Sequence, residues 1–373
     1  MADVQARVQA LLDDLVGRDV ERGVQVAAYR DGEMIVDAWA GVADPTTGRA
    51  VDGETLFTVF SSTKGVTSTV IHLLAERGAL DYDDPITKFW PEFGVHGKEG
   101  ITVRQALTHT AGIPQRGPIG AAEYDWEGMC RDIADLTPLW EPGTRMGYHA
   151  GTFGWILGEV ARRADGRPIN RIVAEDICRP LGITSLFFGI PDAVESRVAP
   201  LENDVSIDRA PDAPPDSLIA QAMPDSKAFA MRFNRPEVRR AVHPAGGGIM
   251  NARALARHYA ALIGDGVEGV RLLSPERVRI ATTLQIEGKD ATLQRFVRRA
   301  LGYMLGTPNS TMGDRVTAFG HAGYGGSIGF ADPEYGLTFA LTKNRLAFGL
   351  PGATTVDNVA RTVREALGIP ESG

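Results

Sequence analysis

At 373 residues, with 43% hydrophobic and 23% charged side chains, the chain has the make-up of a soluble globular protein of two domains, or one large domain with an insertion. Its formal charge of −8, from 47 acidic against 39 basic residues, comes without a basic run, which argues against nucleic acid or an anionic membrane surface as partner. The opening "MADVQARVQALLDDLVGRDVERG" is amphipathic and acid-rich, unlike a signal peptide or membrane span, and Cys130 and Cys178 form no C-x-x-C pair, so a cytoplasmic protein without disulfides is expected.

After the N-terminal helix, "VQVAAYRDGEMIVDAWAGVAD" predicts two strands joined by a tight turn at Arg30-Asp31-Gly32-Glu33. "LFTVF" predicts a short strand, and "SSTKGVTSTVIHLLAERGAL" a helix with Val66, Val70, Leu73 and Leu74 on one face and Gly78 at its C-terminal cap. The middle is helix and loop, with helical spacing in "TVRQALTHT", "TFGWILGEVARRA" and "NRIVAEDIC". A Pro-, Asp- and Ala-rich segment near 204–236 reads as a long surface loop or lid. "NARALARHYAALIGDG" predicts a further helix; "ALGYMLG", "GGSIGFADP" and "GLTFALTKN" predict strands, and "TTVDNVARTVREAL" a closing helix. Strands at both ends with helices between predict an α/β (α+β) domain from residues 1–60 and 241–373, with a mostly helical domain at 61–240 and the site where the two meet.

The chemistry centres on Ser61-Ser62-Thr63-Lys64. Read alone, it fits an N-cap followed by a solvent-facing lysine. It also fits a nucleophile and its base, because residues three apart share a helix face and a buried lysine can lose its proton near neutral pH. The helix start would also aim the Ser61 N–H at a developing oxyanion. Two decoys are set aside. Gly325-Gly326-Ser327-Ile328-Gly329 matches the G-x-S-x-G elbow, yet more strand follows it where a helix is required. Gly264-x-Gly266-x-x-Gly269 follows a helix rather than a strand and reads as a loop. The seven histidines show no i, i+4 pair, so no metal site and no cofactor are expected. His109 reads as a residue that packs or hydrogen-bonds a loop near the site.

S-x-x-K is a known signature of penicillin-recognising enzymes. It is followed in order by "LTHTAGIP" at 107–114, "EPGTRMGYHAGTFGWILGEV" at 141–160, "RPLGITSLFF" at 179–188, "GGGIMNARALARHYAAL" at 246–262 and "FGHAGYGGSIGF" at 319–330. In this order the chain resembles, over nearly its whole length, the serine β-lactamase-like superfamily: class C β-lactamases, penicillin-binding proteins and, most of all, family VIII carboxylesterases. The resemblance implies the β-lactamase/transpeptidase-like fold, an antiparallel sheet flanked by helices. It makes Ser61 the acylated nucleophile, Lys64 the proton acceptor and Tyr148 the tyrosine of the Y-x-N element. His321-Ala322-Gly323 stands in place of K-T-G, with Gly323 admitting substrate to the backbone and the Tyr324 N–H as second oxyanion donor. His321 by itself reads equally well as a structural histidine. Ala150 replaces the asparagine and His321 the lysine that hold the amide and carboxylate of β-lactam-type substrates. The implied activity is therefore a carboxylesterase on small or medium acyl esters. β-Lactamase, D-aminopeptidase or amidase, and acyltransferase chemistry are alternatives on the same site, and an acylated sensor is the non-enzyme alternative.

Overall fold

A computed structural model of the chain describes residues 2–116, 125–204, 213–223, 226–348 and 354–370. Helix α1 (Ala2–Gly17) leads into β1 (Gly23–Arg30) and β2 (Glu33–Asp44). Asp31 and Gly32 between them have φ of 51° and 83°, the paired positive values that a two-residue type I′ hairpin needs, so the expected turn forms where the sequence places it. Then come β3 (Arg49–Ala50), β4 (Phe57–Thr58) and α2 (Thr63–Glu76). Gly78 follows α2 with φ of 72°, the left-handed cap expected there. Helices α3 (Val103–Leu107), α4 (Trp126–Ala134) and α5 (Thr152–Asp165) occupy the middle. β5 (Leu186–Phe188), β6 (Glu202–Asn203) and β7 (Gly248–Met250) are short. The C-terminal part supplies β8 (Ile286–Lys289), β9 (Phe296–Arg299), β10 (Met304–Leu305), β11 (Phe319–Ala322), β12 (Ile328–Asp332), β13 (Leu337–Lys343) and β14 (Arg345–Leu346), before the closing helix Thr355–Leu367.

Among the described residues, one sheet runs β3-β2-β1-β13-β12-β11-β10-β9-β8, with every neighbouring pair antiparallel. Strand β1 from the start of the chain pairs inside the sheet with β13 from near its end, with Ala27 opposite Ala340. Both faces are covered. Val24, Val26 and Ala28 pack with Val4, Val8 and Leu12 of α1 and Val359 and Val363 of the closing helix. Ala27 and Tyr29, on the other face, join Val66 and Val70 of α2 and Leu255 and Tyr259 of helix Ala252–Ala260. Period-2 alternation on β1 thus divides one strand between two cores, which sandwiches the sheet between helical layers.

The sequence reading missed the β8–β9 hairpin and helices α4 and Pro275–Thr282. β8 and β9 sit at the sheet edge and carry Glu287, Lys289, Arg298 and Arg299, so their pattern imitates a surface loop. The 204–236 segment lies partly outside the described residues, at 205–212 and 224–225. Its described part is not bare loop but short helices, Leu218–Ala222 and Ser226–Met231, followed by a single 3₁₀ turn at Arg232–Asn234. Helices of five or six residues are too short to show a helical period.

Candidate active site

Strand β4 and helix α2 are joined by a tight 3₁₀ turn, Phe60–Ser62, and this turn presents Ser61. Phe60 has φ of 46°, a left-handed conformation that is costly for an aromatic residue and persists only where neighbours hold it. Here the Thr63 hydroxyl donates to the Phe60 carbonyl and accepts from the Gly248 N–H at 2.9 Å. The Phe60 ring meets Phe233 and Tyr324 edge-on at 5.5 and 5.7 Å. The first bond of the turn runs from Ser62 N–H to the Val59 carbonyl at 3.2 Å, so the Ser61 N–H precedes the ladder and has no acceptor within the turn.

Lys64, one helical turn on, is fully buried beneath Ser61. Its Nζ lies 3.1 Å from Ser61 Oγ and 2.8 Å from each of the Ala150 and Ala245 carbonyls. All three partners are neutral oxygens, with no carboxylate among them. Burial, reinforced by the charge of Arg299, holds the amine well below the usual lysine range. A neutral amine fits this tripod: two N–H bonds go to the carbonyls and the lone pair faces the Ser61 hydroxyl.

Tyr148 completes the group, its hydroxyl donating to Ser61 Oγ at 2.7 Å. Burial pushes the phenol up to about 12, against the opposing effects of the Ser61 bond and Arg299, so it is a neutral donor. Its position is braced on several sides. The Tyr148 N–H donates to Asp290 Oδ1 at 3.0 Å, and Asp290 Oδ2 accepts from Arg299 Nη2 at 2.8 Å. The next N–H, of His149, donates to His109 Nδ1 at 3.0 Å, and His109 stacks on Phe153. His149 in turn bonds the Gly147 carbonyl and the Ile113 N–H. His109 thus orders the loop behind Tyr148, as read from the sequence. Asp290 and Arg299 were not anticipated: they lie in the charged run "KDATLQRFVRRAL", where nothing separates a buried pair from surface charge.

Strand β11 forms the opposite wall. His321 is 2% exposed, and its Nδ1 donates to the Ala322 carbonyl at 2.8 Å, leaving Nε2 as an acceptor. Burial holds the imidazole well below its usual range, so it is uncharged. Gly323 has φ of −107°, open to any residue, and is required for another reason. A Cβ there would lie 2.1 Å from the Val59 carbonyl oxygen. On the side where a Cβ would point, the space is filled by the Val59 main chain. The contact sets the gap between the Ser61 turn and β11. Tyr324 follows, in a turn closed by the Gly323 N–H on the Ser327 carbonyl at 2.6 Å.

Ser61, Tyr148, His321, Gly323 and Tyr324 all line one cleft of about 1360 Å³, with Lys64 directly behind Ser61. Leu293, Met304 and the half-exposed rings of Phe296 and Phe348 make much of its remaining wall apolar. Among the described residues no three His, Cys, Asp or Glu side chains gather as metal ligands, and no helix is long and apolar enough to cross a membrane. Of the two decoys, Gly325, Gly326 and Ile328 line the cleft, but Ser327 between them is not among its lining residues and leads into β12; Gly264, Gly266 and Gly269 sit in a loop with positive φ.

The beta-lactamase family model matches residues 8–363. The chain belongs to the beta-lactamase family. Within it, the chain is 35% identical to the esterase/beta-lactamase LipL of Mycobacterium tuberculosis, over 87% of this chain and 77% of that protein. Two crystal structures superpose with a TM-score of 0.86. One is a family VIII carboxylesterase, 32% identical, covering 96% of this chain and 97% of its own. The other is a penicillin-binding protein homologue from Caulobacter crescentus, 33% identical, covering 98% and 97%. The fold is the β-lactamase/transpeptidase-like one expected from the ordered motifs.

Proposed function

We propose that this protein is a serine ester hydrolase that cleaves small or medium acyl esters through an acyl-enzyme on Ser61. The observation that carries this reading is the joint contact of Lys64 and Tyr148 with Ser61 Oγ, at 3.1 and 2.7 Å, beneath an apolar cleft. Relatives named as esterase and family VIII carboxylesterase support the substrate class. Ser61 Oγ attacks the ester carbonyl while its proton passes to neutral Lys64, and the N–H groups of Ser61 and Tyr324 receive the oxyanion. The proton then moves through Tyr148 to the departing alkoxide, which leaves as alcohol. In the second half water attacks the acyl carbonyl, gives its proton to the Lys64–Tyr148 pair, and Ser61 Oγ takes the proton back as the acid departs. Two buried thiols, Cys130 and Cys178, fit a reducing compartment, and we place the protein in the cytoplasm.

The name esterase/beta-lactamase on one relative keeps lactam hydrolysis as the second reading. Against it, Ala150 offers Lys64 only its main-chain carbonyl, and His321 brings no positive charge for a substrate carboxylate. A buried polar group without its partner costs about 1–3 kcal/mol, and two such losses lower kcat/KM by roughly two to four orders of magnitude. The test is a side-by-side measurement of kcat/KM for p-nitrophenyl butyrate and nitrocefin. The ester is expected to win by at least about a hundredfold. Nitrocefin turned over equally well would move the assignment to β-lactamase, and an ester burst without turnover would make the protein an acylated sensor.

A further inference from the structure

Arg299 is 1% exposed, and a buried guanidinium so close to a base that works uncharged needs a reason. Its Nη2 is held by Asp290 Oδ2 at 2.8 Å, and Asp290 Oδ1 also gathers the N–H groups of Tyr148, Thr292 and Leu293 at 3.0, 2.9 and 2.9 Å. The cation is therefore pinned to the Tyr148 loop. The Tyr148 ring has Arg299 Cζ 5.3 Å from its centroid and Lys64 Nζ 4.9 Å from it, so one phenol is in contact with both side chains. A pair that served only to fasten the loop would be replaceable by a neutral hydrogen-bonding pair, because buried ion pairs bring little net stability.

We infer that Arg299 is a positioning residue for the reaction: anchored by Asp290, its fixed positive charge disfavours a second cation at Lys64 and so keeps the base ready for the Ser61 proton. The inference rests on the reading of Ser61 and Lys64 given above. The other titratable groups around Lys64 are Tyr148, His109, His243 and His321. The phenol is held neutral and all three imidazoles lie below their usual range through burial, which leaves them uncharged near neutral pH. Arg295, which lines the cleft, is a further cation. Arg299 is the neighbour whose charge adds to burial in lowering Lys64.

The sign follows directly. Removing a nearby positive charge favours the ammonium, so Lys64 must give up its proton at higher pH, and the acid limb of reactivity moves upward. The readout is the rate at which Ser61 is labelled by a fluorophosphonate probe as a function of pH, which does not depend on the identity of the natural substrate. Arg299→Met is expected to move the acid limb up by about one pH unit, while Arg299→Lys keeps it within a few tenths of wild type. If Arg299→Met does not fold, Arg299→Gln retains hydrogen-bonding groups for Asp290 without the positive charge, and its limb also moves up. A limb that stays at the wild-type pH in the charge-free variants, with rates falling only as thermal stability falls, would overturn the inference. So would an equal shift in Arg299→Lys and Arg299→Met. Failure of the wild type to be labelled at Ser61 is a different result: it would remove the Ser61 reading itself.

Discussion

Ser61 lines the cleft and Ser327 sits between residues that line it, and the contrast between them shows what the proposed nucleophile has that a motif match lacks. Ser327 has the sequence setting of a hydrolase elbow, with glycines two residues away on each side. Yet it is 3% exposed, it leads into a strand, and among the described residues no base is hydrogen-bonded to its hydroxyl. Its contribution is its carbonyl, which closes the Tyr324 turn. Ser61 has an unremarked setting, a serine after an apolar strand, but it opens a helix, lines the cleft and is touched by a buried amine and a phenol. Local motif is shared by many serines; a desolvated base at one helical turn is not.

The contrast breaks most easily at the hydroxyls themselves. Ser61→Ala is expected to lower kcat/KM on p-nitrophenyl butyrate by at least about a thousandfold, and Ser327→Ala by no more than about threefold. An inhibitor adduct mapped by mass spectrometry to Ser327 would reverse the assignment. Next in size are the partners. Lys64→Ala and Tyr148→Phe are each expected to cost about 10²- to 10⁴-fold in kcat, the range for a lost general acid or base. The double variant should fall little further, since both act on one proton. Losses that simply multiply would mean that the two side chains act independently.

The smallest of these effects tests the wall opposite Ser61. Gly323→Ala forces a methyl against the Val59 carbonyl, which is backbone and cannot swing aside, with the Ser62 hydroxyl also close. About 1–3 kcal/mol of stability should be lost, read as a lower melting temperature, together with roughly ten- to hundredfold in kcat/KM as β11 retreats from Ser61. Unchanged activity at lowered stability would show that the gap does not govern the reaction.

How far the sequence discloses this site depends on the range of each interaction. Ser61 and Lys64 are legible because their relation is local, three residues on one helix. Tyr148, His321, Gly323 and Tyr324 come through the ordered motifs, and their lining of one cleft is visible only in three dimensions. The hairpin turn at Asp31-Gly32 and the cap at Gly78 are legible because backbone conformation there selects the residue. Asp290 and Arg299 are not, because 142 residues separate Asp290 from the Tyr148 N–H it accepts, and a charged pair looks alike whether buried or exposed. The close packing at Gly323 is hidden for the same reason: that Val59 would occupy its missing side chain is a property of two distant segments meeting.

The contact between Phe60 and Phe233 bears on any attempt to transplant specificity. Residues 226–240 form an obvious cassette for exchange with a relative, being short helices beside the cleft. That cassette also carries the ring that packs against the strained residue just before Ser61, in a cluster with Leu201, Val238 and Leu346. A graft chosen only for the shape of its cleft-facing side chains would release Phe60 and let the Ser61 turn relax. Phe233 and its neighbours therefore belong to the recipient scaffold, and swaps of this segment should keep them fixed while varying the rest.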